Sequence, residues 1–67
     1  MIVEFLGTDV EFDEIVDVFD THGPHCQEVE VHGTDDKGFE YSAIGISDGD
    51  EITEIDVDSI ECIGSPE

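Results

Sequence analysis

The sequence predicts a small α+β domain: a bent antiparallel β-sheet of three to five strands with one N-terminal helix. Three observations lead there. Residues 27–63 alternate apolar and polar side chains between turns rich in Gly and Asp. Phe12, Ile15, Val16 and Phe19 recur at i, i+3, i+4 and i+7, an apolar stripe at helical spacing. The chain has 67 residues, which suits one domain, 1–67, with little stability to spare from burial.

Residues 1–6 read as a strand, with Val3 and Phe5 set against Glu4 and Leu6, and Gly7 ends it. Thr8-Asp9-Val10-Glu11 fits a capping box, with Thr8 as N-cap and Glu11 at N3. Asp13, Glu14, Asp17 and Asp20 take the face opposite the apolar stripe, and Thr21-His22-Gly23-Pro24 supplies the stop. A strand reading competes for residues 9–21. Val10, Phe12, Val16 and Val18 also share a period-2 face, the segment is rich in β-branched residues, and Asp17 and Asp20 suit a helix C-terminus poorly.

In the meander, Val29 and Val31 alternate with Glu28, Glu30 and His32. Gly33-Thr34-Asp35-Asp36-Lys37-Gly38 predicts a hairpin loop of four to six residues. The next strand, 39–47, changes phase: Phe39, Tyr41 and Ala43 share one face, Ile44 and Ile46 the other. A bulge near Ala43, Ile44 and Gly45 would restore one continuous apolar side. Asp48-Gly49 signals a two-residue hairpin, Thr53, Ile55 and Val57 form a further alternating strand, and Asp58-Ser59 reads as a turn before a short closing strand at 60–63. Residues 63–67 read as a frayed polar tail. Bent strands joined by hairpins, with a turn before the last, also suit an all-β SH3-like small barrel, the alternative architecture.

Charge bounds the function more tightly than pattern does. Twenty Asp and Glu stand against one Lys and no Arg, a formal net charge of −19. Spread over a domain with a radius of gyration of about 11 Å, that charge repels itself by about 10 kcal/mol at a Debye length of ~10 Å. At ~3 Å, near molar salt, the repulsion drops below ~1 kcal/mol. Such dispersed acidity resembles that of proteins from extreme halophiles, which balance osmotic pressure with internal salt. Direct nucleic-acid binding is excluded, because one Lys cannot neutralise a set of phosphates. No run approaches 18 apolar residues, and the start MIVEFLG has no basic n-region, so neither a membrane span nor a signal peptide is expected; a cytoplasmic setting follows.

His22, His25, Cys26 and His32 are the densest group of potential ligands. His22 and Cys26 have a spacing zinc sites use, and His32 or Cys62 could complete a tetrahedral set. No second CxxC or HxxxH pair supports it, and the plainer reading is a surface turn with His22 near a helix end and Cys26 as a small core residue. Cys26 and Cys62 are expected as free thiols in a reducing compartment. The acidic clusters Asp35-Asp36, Asp48/Asp50/Glu51 and Asp56/Asp58 match no calcium loop. No nucleophile elbow, phosphate loop or HExxH motif is present, and a chain this short hardly encloses a cleft as well as a core. A non-catalytic protein-interaction or regulatory module of a halophile cytoplasm is therefore expected, with a protein partner and a homodimer at high salt. The rival classes are a small zinc-binding protein using the His22–Cys26 turn and an acidic DNA-mimic inhibitor.

Overall fold

The computed structural model describes residues 1–23 and 26–66, with His22 described by its backbone only. The strands are β1 (Ile2–Phe5), β2 (Thr8–Gly23), β3 (Cys26–Asp35), β4 (Glu40–Asp48), β5 (Glu51–Ile55) and β6 (Glu61–Gly64); a 3-10 turn, Val57–Ser59, precedes the last. The expected N-terminal helix is replaced by β2, so the α+β expectation gives way to the all-β alternative. Neighbouring strands run antiparallel in the order β1-β2-β3-β4-β5, with β6 also on β4. Ile63, where the expected closing strand and the expected tail overlap, lies in β6, and so does Gly64, expected in the tail.

The physical reason for the missing helix lies in the register of β2 on β3. Twelve residues of β2, from Phe12 to Gly23, lie opposite eight of β3, from Cys26 to Gly33, with register shifts after Phe12, Ile15, Val18 and Thr21. Each shift absorbs one extra residue: Asp13, Val16, Phe19 and His22. The strand therefore repeats every three residues. Phe12, Ile15, Val18 and Thr21 stand across from Gly33, Val31, Val29 and Gln27, whereas Glu14, Asp17 and Asp20 stand across from His32, Glu30 and Glu28. Paired residues share a face, so the apolar positions fall on the core side and the acids on the outside. An i, i+3 apolar spacing is what a helix and a regularly bulged strand have in common. β-Branched content and the partner β3 favour the strand. Sixteen straight residues would span about 53 Å; four absorbed residues bring β2 near the 38 Å long axis of the molecule.

The core is Val10, Phe12, Val29, Val31, Tyr41, Ala43, Ile55 and Ile60, with Val3, Phe5, Ile15, Phe39 and Ile52 packed on it. The sheet curls to enclose it without closing: among the described residues no ladder joins β1 to β5 or β6. Even so, the Phe5 ring of β1 meets Tyr41 of β4 edge-on at 5.9 Å. The curl brings strands close enough at Gly33 to exclude a side chain. A Cβ there would collide with the Glu11 carbonyl and come within 2.8 Å of Phe12 Cα.

β4 runs straight against β3, in unbroken register from Gln27↔Ser47 to Thr34↔Glu40. The bulge expected near Ala43, Ile44 and Gly45 is not there. Tyr41, Ala43, Gly45 and Ser47 are buried on the inner face, and Ile44 and Ile46 are half-buried on the outer one. The irregularities lie in the partners instead, where Thr53 of β5 and Ile63 of β6 are the residues left out of register. β5 and β6 lie end to end along one edge of β4, pairing with residues 45–48 and 40–42. Ile44 falls in the gap between them. Its N–H donates to Ser59 Oγ (2.8 Å), and its carbonyl accepts from the Asp56 N–H (2.9 Å). The 3-10 turn thus completes the edge of β4, with the Ser59 hydroxyl also donating to the Asp56 carbonyl at 2.6 Å.

Candidate interaction surfaces

Of the residues expected to hold a metal, Cys26 and His32 are described in full, and these two stand apart. His25 lies outside the described residues, as does the side chain of His22. Cys26 is half-buried beside the hairpin tip, paired in register with Gly23. His32 sits six residues further along β3, a rise of about 20 Å, beyond the span of a shared ion with ligand bonds near 2 Å. Its Nε2 is instead 3.1 Å from Glu30 Oε2. Among the described residues no group of three His, Cys, Asp or Glu is arranged to hold a metal. Cys26 and Cys62 are free thiols.

Two of the acidic clusters have local structural work. Asp35 closes the β3–β4 turn: its Oδ1 accepts from the N–H groups of Lys37 (2.9 Å) and Phe39 (3.0 Å), and Oδ2 accepts from the Tyr41 hydroxyl (3.0 Å). Burial pushes the Asp35 carboxyl up, but the N–H groups of Lys37 and Phe39, the Tyr41 hydroxyl and the Gly38 N–H outweigh it. The net effect holds Asp35 below the usual aspartate range. Burial, then the bond and charge of Asp35, push the Tyr41 phenol up, which keeps it a donor. Asp56 caps the 3-10 turn by accepting from the Asp58 N–H at 3.1 Å. At the third cluster, Gly49 takes φ +66° in the two-residue connection between β4 and β5, the conformation a tight hairpin requires.

Two surfaces stand apart from this acidic, self-satisfied exterior. The first is the distal half of β2. β1 and Met1 cover its outer edge only as far as Phe12, so from residue 13 onward that edge has no ladder among the described residues. Val16, Val18 and Phe19 are 41, 48 and 51% exposed there. The second surface is a groove of about 370 Å³ on the outer face of β4 and β5, lined by Ile44, Ile46, Ile55 and Val57 with Glu28, Glu54 and Asp56 around them. Sequence reasoning assigned Ile44 and Ile46 to the core and so missed this groove. Their alternation with Tyr41 and Ala43 was the available signal.

No helix among the described residues is long and apolar enough to cross a membrane. Comparison with protein-family models, curated proteins and solved structures returns no match.

Proposed function

We propose that this chain is a non-catalytic protein-interaction module of a high-salt cytoplasm, and that it self-associates through the distal half of β2. The observation that carries the reading is the exposure of Val16, Val18 and Phe19 on a strand edge that has no ladder among the described residues, in a chain of net charge −19. Unpaired strand edges bearing apolar side chains invite a second chain. The bulges twist this edge, so side-chain contact contributes more than an extended ladder. A two-fold arrangement places the same patch on both copies. It brings Asp17 and Asp20 of each toward the other, a repulsion that molar salt screens within ~3 Å.

Sedimentation equilibrium at about 2 M KCl tests this. A dimer at ~100 μM protein is expected, with Phe19→Ser shifting it to monomer while circular dichroism stays unchanged. A folded wild-type monomer under those conditions overturns the proposal.

A further inference from the structure

The outer face of β4 carries a charge pattern that the ladders make explicit. Ile46 stands between Glu28 of β3 and Glu54 of β5 in one cross-strand row. In the next row Ile44 stands between Glu30 of β3 and Asp56, whose N–H bonds the Ile44 carbonyl. Two aliphatic side chains thus run along one strand, with a carboxylate on each side of both. Strands lie about 4.8 Å apart, so the two acidic columns are roughly 10 Å apart and the rows roughly 7 Å apart. Val57, 49% exposed, extends the apolar floor. Among the described residues this face is left as an open groove, although a sheet ordinarily buries its apolar side under a second layer.

We propose that this groove docks a segment of another protein that presents aliphatic side chains flanked by lysines or arginines. A neutral apolar segment would strip water from Glu28 and Glu54 without compensating their charge, which costs more than the isoleucines return. A second copy of this chain cannot supply the cations, since Lys37 is the sole Lys or Arg in the sequence. A nucleic acid would meet four carboxylates. A basic, aliphatic segment satisfies both elements of the site at once: the floor by burial, the columns by charge-assisted hydrogen bonds that survive at contact distance where long-range attraction is screened.

The probe is a 14-residue amphipathic peptide of Lys and Leu, titrated into the labelled protein at a KCl concentration where its amide spectrum is that of the folded state. Saturable shifts are expected at Ile44, Gly45, Ile46, Glu54 and Val57. Ile46→Thr should weaken binding by roughly tenfold, as loss of ~50 Å² of apolar contact implies. The double change Glu28→Gln with Glu54→Gln should weaken it as well, by less at 2 M KCl than at lower salt. Each variant is checked for native amide dispersion, and the double change, which leaves the isoleucines in place, keeps the test open if Ile46→Thr unfolds. Phe19→Ser should leave these shifts unaltered, which separates the groove from self-association through β2. Equal binding of a Lys/Ser peptide, equal binding of a Glu/Leu peptide, shifts spread over the whole acidic surface, or no saturable shifts would each overturn the proposal.

Discussion

Both halves of β2 turn apolar side chains to the inner face of the sheet, and they meet opposite fates. In the proximal half, Val10 and Phe12 are fully buried and Ile15 packs against the core. In the distal half, Val18 occupies the same place in the three-residue repeat, faces the same side of the same partner strand, and is 48% exposed. The difference lies in what stands opposite. The proximal half is enclosed by β1 and by the inner face of β4, with Ile55 and Ile60 completing the core. Along the distal half β3 is the ladder partner among the described residues, and Val16, Val18 and Phe19 stay exposed. Pattern assigns a residue to a face; burial needs another element to come over that face. An apolar side chain without such a cover remains available to a partner.

The sharpest way to break this comparison is to truncate the two phenylalanines of β2, Phe12 in register with Gly33 and Phe19 absorbed at a register shift. Phe12→Ala should cost about 3–5 kcal/mol in denaturant unfolding, the usual loss for a buried aromatic. Phe19→Ala should stay within about 0.5 kcal/mol for the monomer, as exposed substitutions do. Similar costs at both sites would mean that the distal half is covered after all.

A smaller effect is expected from the paired acids along the distal half. Glu28 stands directly opposite Asp20, and like charges across a ladder destabilise it. Glu28→Gln should stabilise the protein by about 0.5 kcal/mol at ~0.1 M KCl and by almost nothing at molar salt. A gain independent of salt would point to packing, not repulsion. More generally, circular dichroism should show structure lost as KCl falls from molar to ~10 mM, where the Debye length reaches ~30 Å.

The smallest effect belongs to the proximal end, at the Asp35 turn. Because its carboxyl is held below the ordinary range when folded, the stability it contributes is complete above the unfolded value of about 4. That contribution is lost as pH falls through the lower folded value. A carboxyl-carbon NMR titration should find Asp35 protonating at lower pH in the folded protein than in the unfolded chain. An Asp35 midpoint at or above its unfolded value would remove the turn from the account.

Much of the meander was legible because its signals are local. Gly49 at a positive φ, Val29 and Val31 alternating with acids, and a turn near Asp58 and Ser59 each depend on residues close in sequence. The Ser59 clamp on Ile44 was not legible, since it joins residues 15 apart through a gap between two strands that only pairing creates. Cys26 and His32 stand six residues apart on the extended β3, which separates these two by about 20 Å.

By itself the sequence determined the charge, the strand-rich meander and the positions of its turns, all properties of composition and near neighbours. It also determined which residues of β2 are apolar and which acidic, in a repeat of three that lies between the periods of strand and helix. Only the tertiary structure decided that this repeat is a strand, because the extra residue in every three is defined by the register against β3 and has no meaning in an isolated segment. The same holds for β4. Its two apolar faces are written in the sequence, but which becomes core and which becomes groove depends on the direction in which the sheet curls.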